Sequence, residues 1–66
     1  MNITDDLVER VASEAYAERH RREPEKYHWA TWDDFLADPI GAKRAVDWRA
    51  DLRLGIEVID RVRGNP

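Results

Sequence analysis

His20 and His28 are the side chains of this 66-residue sequence best suited to bind a transition metal. Glu23 and Glu25 lie between them and could complete a set of ligands. Helical zinc sites use histidine pairs at i,i+4, however, and these residues have no recognised ligand spacing. The sequence also contains no cysteine, which excludes a thiolate site. We therefore expect no metal and no cofactor, and His20 is better explained as a favourable residue near a helix C-terminus.

Two adjacent pairs of carboxylates, Asp5–Asp6 and Asp33–Asp34, could in principle serve as a general acid and base. That chemistry needs two carboxyls in different environments, with pKa values shifted apart. Both pairs fall at predicted helix starts, where stabilisation of the helix N-terminus explains them. The single serine, Ser13, lies within a predicted helix, and no nucleophile elbow or phosphate-binding glycine loop occurs. We expect a protein that is not an enzyme.

Basic and aromatic residues are mixed between Arg19 and Trp29, as they often are at nucleic-acid-binding sites. Glu23 and Glu25 interrupt this stretch, and the chain has a net charge of −3 and a pI of about 5.2. An acidic chain lacks the electrostatic footprint of a general nucleic-acid binder. We therefore do not expect a nucleic-acid partner, and a DNA-binding or virion accessory role is kept only as an alternative.

The three tryptophans are more informative, because this number is high for a chain of 66 residues. Trp32, Phe35 and Leu36 follow an i, i+3, i+4 pattern, which is typical of helices that insert into a groove on a partner. The alternative is that these three residues cover the open end of a helical hairpin. Trp48 belongs to the apolar seam of the last predicted helix and is expected in the core.

Two further groups of apolar residues have no periodic reason to be buried. Tyr27 and Trp29 lie in a connection between helices, and both residue types are favoured anchors at protein interfaces. Leu54 and Val58 lie i,i+4 on the last helix, away from its seam, and form a second apolar stripe. We therefore predict a partner-binding surface that consists of Tyr27, Trp29, Trp32, Leu54 and Val58.

The first element that would position these residues is a helix over about 4–22. Thr4 can cap its first turn with the side-chain hydroxyl, and the aspartates that follow favour the positive end of the helix dipole. Pro24 disfavours helical backbone at the residue before it, so the helix should end near Arg22.

A short helix over about 32–37 and a long helix over about 39–63 should follow. Thr31 is the expected N-cap of the short helix. Asp38 and Pro39 are typical of the cap and first position of the long one. No alternating run of apolar residues indicates a strand. The sequence therefore predicts an all-α fold, a hairpin of two longer helices with a short helix between them.

Apolar residues along the third helix recur at alternating spacings of three and four. This pattern is the seam of a helical hairpin or short coiled coil. Its members are Ala45, Trp48, Leu52, Gly55, Ile59 and Val62. Glycine lowers helix stability, so Gly55 on the seam suggests the close approach of a neighbouring helix near Ala12 or Ala15.

Chain length limits the architecture to one small domain, residues 1–66. No apolar run is long enough to span a membrane, and the N-terminus lacks the features of a signal peptide, so we expect a cytoplasmic protein without a membrane partner. A domain this small, without disulfides, buries little apolar surface. Because oligomerisation is a usual remedy, we also expect a homo-oligomer.

Several local motifs together resemble short orphan proteins of actinobacteriophages and prophages. They are an alanine-rich first helix with Tyr16, then Trp-Asp-Asp-Phe-Leu at 32–36, Asp-Pro at 38–39, Arg44, and Trp-Arg-Ala at 48–50. The glutamate-rich start that the last helix usually has in that group is replaced here by Asp-Pro-Ile-Gly at 38–41. Most of these proteins have no assigned function, so the resemblance implies a phage context rather than a chemistry.

A second similarity concerns residues 51–66 alone. The pattern Asp-Leu-x-x-Gly-Ile from 51 to 56, with Arg61 and Pro66, is similar to the final helix of phage cyclic-nucleotide sponges, which are oligomeric helical hairpins. The first half of the chain departs from their pattern, so no ligand position is carried over. The alternative function is then an oligomeric protein that sequesters a cyclic nucleotide, using Arg44, Arg49 or Arg53.

The combined prediction is a non-enzymatic, phage-type interaction protein. It is expected to bind a host protein and modulate it by steric means, as an anti-defence inhibitor when that protein belongs to a bacterial defence system. The excess of aromatic residues in a chain too small to need them all inside is the reason for this interpretation.

Overall fold

The computed structural model describes residues 2–64, which form three helices. These are α1 (Asp5–Arg22), α2 (Trp32–Ala37) and α3 (Pro39–Gly64). Residues 2–64 contain no strand, so the predicted all-α arrangement of two longer helices with a short one between them is confirmed. Within the same residues, no helix is long and apolar enough to cross a membrane.

Local capping explains where the helices begin. The hydroxyls of Thr4 and Thr31 each accept a hydrogen bond, at 3.1 Å, from the backbone N–H three residues later. The carboxylate of Asp38 accepts from the backbone N–H of Ile40 at 2.9 Å, so α3 can begin at Pro39 immediately after α2 ends. These bonds satisfy backbone donors that have no partner within a helix.

The core lies where the three helices meet. Tyr16 is its largest fully buried side chain, with 0% of its surface exposed. Along α1 the buried residues recur every four positions, so one face of that helix packs inward. Among residues 2–64, six apolar residues are buried: Val8, Ala12, Tyr16, Trp32, Phe35 and Ala45.

Ion pairs between α1 and α3 show that the two helices are antiparallel. Glu9 pairs with Arg49, and Asp5, one turn earlier on α1, pairs with Arg53, one turn later on α3. Since α1 begins at Asp5, the part of α3 that follows Arg53 extends past the start of α1. The 26 residues of α3 span about 39 Å at 1.5 Å per residue, close to the 41 Å length of the molecule.

The glycine that permits close packing is Gly41, and not Gly55. A Cβ atom added at Gly41 would lie 1.8 Å from the backbone oxygen of Phe35, so only glycine fits where α3 crosses α2. No such neighbour lies within 4 Å of a Cβ added at Gly55. The expectation of close helix approach at Gly55, near Ala12 or Ala15, is therefore wrong for the described chain, because α1 does not extend that far along α3.

Candidate functional site

A cluster of aromatic rings occupies the centre of the molecule. The ring of Tyr16 lies 5.0 Å from Phe35 and 5.8 Å from Trp48, measured between centroids. Trp32 stacks at 5.4 Å on Phe35 and at 6.0 Å on Trp48. Such pairs add to the free energy gained from burial, by about 0.5–1.5 kcal/mol each. Most of the aromatic residues therefore build the core.

Trp32 belongs to this cluster and is only 3% exposed. Its indole N–H donates a hydrogen bond of 3.1 Å to the carboxylate of Glu9. With Phe35 also buried and Leu36 packed against the core, α2 covers the end of the hairpin. This position matches the alternative interpretation of the Trp32 pattern, in which these residues cover the open end of the hairpin.

Tyr27 and Trp29 fold back from the connection and are half-buried. The Tyr27 hydroxyl accepts a hydrogen bond of 3.3 Å from Arg19, and its backbone oxygen accepts one from Nδ1 of His20. The Trp29 ring meets Phe35 edge-to-face at 5.3 Å. These contacts anchor the connection to α1 and to the core, so only part of each of the two side chains is exposed.

The two histidines have structural contacts that do not converge. His20 holds the Tyr27 backbone, whereas the His28 ring lies against Trp29 with 3.8 Å between centroids. Among residues 2–64, no group of three or more histidines and carboxylates is arranged to hold a metal ion.

Glu9 connects all three helices. From α1, its carboxylate accepts from Trp32 of α2 and from the guanidinium of Arg49 of α3. The hydrogen bond from Arg49 is the main reason that the pKa of Glu9 lies below its usual value. Burial opposes this effect, and the bond from Trp32 adds to it.

Two of the three arginines that were predicted as alternatives for holding a nucleotide already bind carboxylates of the protein. Arg49 binds Glu9, and Arg53 binds Asp5 and donates to the backbone oxygen of Ile3 at 3.2 Å. Both guanidinium groups therefore already have anionic partners. Arg44 lies more than one helical turn before Arg49 on α3, and its side chain is exposed.

The main exposed apolar feature is on the C-terminal half of α3. Leu54 is 59% exposed and Val58 is 43% exposed, and Ile59 and Val62 continue the same surface. We call these four residues the α3 apolar face. Leu54 and Val58, both predicted to bind a partner, are thus brought together on one accessible helix, far from the connection that carries Tyr27 and Trp29.

Ile59 and Val62 were not predicted to be exposed, because their spacing placed them on the buried seam. The seam pattern is present in the sequence, but α1 covers only its first part. α3 has 26 residues and α1 has 18, so the last part of α3 has no partner from α1, and the periodicity of α3 alone does not report this.

No family model, curated protein or solved structure was found to match this chain.

Proposed function

We propose that this protein is a non-enzymatic interaction protein that binds a host protein and modulates it by steric means. The observation that carries the proposal is the α3 apolar face, on which four large apolar side chains are exposed in succession. A contiguous apolar patch on a small protein commonly marks a binding surface.

The geometry of this face suits insertion into an apolar groove. Leu54, Val58 and Val62 are spaced four residues apart, so they lie close together along one side of the helix. The segment extends past the start of α1, which leaves that side open to a partner. Helices recognised in grooves use anchors at such spacings. Occupation of the groove by α3 would block whatever the host protein normally binds there.

The resemblance to orphan proteins of actinobacteriophages supplies the biological setting of the proposal. In that setting the host protein is a component of bacterial defence, and its blockade is the advantage to the phage. A short, helical chain suits such a role because steric inhibition needs one complementary surface and no enclosed active site.

In the absence of the host protein, we infer that a second copy covers the α3 apolar face. An antiparallel pair with Leu54 opposite Val58 of the second copy places Asp51 opposite Arg61 at both ends of the contact. A parallel pair would instead place like charges side by side, which is unfavourable. The host protein would then displace one copy from the other.

Two aspartate substitutions on α3 test the proposal. Val58→Asp puts a charge into the proposed contact, and Val46→Asp makes the same change at a residue that is 64% exposed outside the α3 apolar face. We expect the tagged protein to capture one stoichiometric host protein from an actinobacterial lysate. Val58→Asp should lose this capture and Val46→Asp should retain it, with both variants as helical as the parent by circular dichroism.

Binding of the identified host protein should then be measured with purified components by calorimetry. Val58→Asp is expected to weaken it at least tenfold, which corresponds to about 1.4 kcal/mol. Equal effects of Val58→Asp and Val46→Asp, or no stoichiometric capture by the parent protein, would overturn the assignment.

A further inference from the structure

A groove that the proposed function does not use lies between the end of α1, the connection and the first half of α3. Its volume is about 270 Å³. The rings that line it are those of Tyr16, Tyr27, Trp29, Phe35 and Trp48. Known ligand pockets usually measure about 300–1,000 Å³, so this groove suits a ligand with a single ring system.

The charged residues that line the groove are all cations, although the chain as a whole is acidic, with 14 carboxylates against 11 lysines and arginines. They are Arg19, Lys26 and Arg44, and no carboxylate lines the groove with them. Asp51 lines a separate opening beside Arg19. The groove is therefore locally basic on an acidic protein.

These cations differ from most other arginines of the described chain in lacking a carboxylate partner. Arg21 and Arg22 both pair with Glu18, while the two central arginines of α3 pair with carboxylates of α1. Within residues 2–64, no ion pair involves Arg19, Lys26 or Arg44. Their charge is available to a ligand.

Two of the lining cations already lie over the faces of aromatic rings in the groove. The guanidinium of Arg19 lies 4.9 Å from the ring centroid of Trp48 and 5.7 Å from that of Tyr27. The ammonium of Lys26 lies 5.6 Å from the Tyr27 ring. Each contact orients a positive group beside an apolar ring surface, an arrangement that recognises a ligand with both an anionic and an aromatic part.

A buried polar atom beneath the groove has no partner. The hydroxyl of Tyr16 makes no hydrogen bond within the described chain, although the side chain is fully buried. Leaving such a group unsatisfied costs free energy, so native proteins usually provide it with a partner. Tyr16 also lines the groove, so a ligand bound there lies next to this side chain.

We propose that this groove binds a small aromatic anion, one ring system that carries a phosphate or a carboxylate. Arg19, Lys26 and Arg44 hold the anionic group, and the ring packs against the aromatic side chains that line the groove. The groove lies on the first half of α3, whereas the α3 apolar face lies on the second half. Ligand binding and host-protein binding can therefore succeed or fail independently.

Phenyl phosphate and benzoate are suitable probes, with inorganic phosphate and phenol as controls that each supply one half of the ligand. Titrations followed by ¹H–¹⁵N correlation spectra report on the three indole N–H groups separately. We expect saturable shifts for Trp29 and Trp48 with an aromatic anion. Trp32 serves as an internal control, because its N–H is bound to Glu9 and it does not line the groove. The probe that binds more tightly identifies phosphate or carboxylate as the preferred anionic group.

A matched pair of variants tests whether the ligand binds in this groove. Arg44→Gln removes a lining cation, and Lys43→Gln removes the same charge from the adjacent exposed residue, which does not line the groove. Arg44→Gln should weaken the binding of phenyl phosphate about five- to tenfold, and Lys43→Gln should weaken it less than twofold.

Three results would overturn the proposal. The first is the absence of saturable shifts with either probe, and the second is equal weakening by both variants. The third is binding of inorganic phosphate as tight as that of phenyl phosphate, which would show that the rings contribute nothing.

Discussion

The hydroxyl of Tyr16 is an unusual feature at the scale of single residues. It is a polar atom in the middle of an otherwise apolar aromatic cluster, and it has no hydrogen-bond partner among residues 2–64. Burial is the main reason that its pKa is raised, and the backbone of Trp29 lies close enough to the hydroxyl to oppose part of this rise. The place of Tyr16 in the lining of the groove fits the proposed contact with a ligand.

Replacement of this hydroxyl should stabilise the protein in the absence of ligand. Tyr16→Phe keeps the ring and removes the unsatisfied atom, so the free energy of unfolding should rise by about 1 kcal/mol. Because the folded state holds the phenol proton more tightly than the unfolded state, the parent protein should lose stability as the pH rises above 10. Urea unfolding at pH 7 and pH 10.5 measures both effects, and the variant should lose less stability over that interval.

Loss of stability in Tyr16→Phe at pH 7 would contradict this prediction, since it would show that the hydroxyl has a favourable partner in solution. Tyr27→Phe is the matched control. Its hydroxyl accepts from Arg19 at 3.3 Å, so its removal should not stabilise the fold.

The two helical glycines should respond in opposite ways to the same change. Gly41→Ala places a methyl group against the Phe35 backbone and should lower the free energy of unfolding by about 2–3 kcal/mol. Gly55→Ala meets open space and should raise it by about 1 kcal/mol through helix propensity. Thermal unfolding of both variants by circular dichroism is the measurement. A destabilised Gly55→Ala variant would show that a neighbour approaches this glycine in solution.

The helices themselves were predictable from short-range signals. Thr4 and Thr31 cap helices as expected, because an N-cap depends on atoms only three residues away. The burial of Trp32 was not decided by such signals, since the same i, i+3, i+4 pattern suits either a core or a groove. It depends on Glu9, 23 residues earlier, which supplies the acceptor for the indole.

At the scale of elements, Glu9 should make the packing of α1, α2 and α3 depend on pH. Its folded-state pKa is lowered, so its contribution is fully present above the ordinary value of 4.5 and is lost as the pH falls through the lowered value. The Glu9 and Arg49 side chains are 41% and 39% exposed, so screening limits the contribution to about 1 kcal/mol.

Glu9→Gln is the corresponding variant. It should be less stable than the parent at pH 7 by about 1 kcal/mol, and this difference should shrink as the pH is lowered from 4.5 to 3, as measured by urea unfolding. Glu14→Gln, a change at an exposed position on the same helix, is the control and should leave stability within about 0.5 kcal/mol at both pH values. A constant difference between Glu9→Gln and the parent across this range would contradict the assigned role.

The scale of the whole molecule is where the sequence was least informative. Its periodicity predicted one continuous seam on α3, but the observed register leaves the last part of that seam without α1. The groove likewise combines residues from α1, the connection, α2 and α3, so no single motif contained it. Both surfaces arise from how the helices pack against one another, which the periodicity of a single helix does not report.

The proposed self-association concerns this uncovered part of α3, and cysteine cross-linking can test it cleanly because the chain has no cysteine of its own. In the antiparallel pair, Leu54 of one copy faces Val58 of the other. Leu54 of one copy and Leu54 of the other are displaced by four positions, or about 6 Å along the helix axis. This displacement adds to the distance between the two helices, so the two Leu54 Cα atoms lie farther apart than facing residues do. Only facing residues then bring their Cα atoms within the roughly 7 Å that a disulfide can bridge.

The double variant Leu54→Cys/Val58→Cys should therefore form disulfide-linked dimers under mild oxidation, whereas Leu54→Cys alone should form few. Non-reducing electrophoresis gives the yield, and light scattering on the parent protein gives the mass. Efficient cross-linking of the single variant would indicate a parallel pair, and a monomer mass without cross-linking of either variant would contradict self-association. Loss of the dimer in Leu54→Asp, with retention in Val46→Asp, would place the contact on the α3 apolar face, the same surface that the host protein is proposed to take.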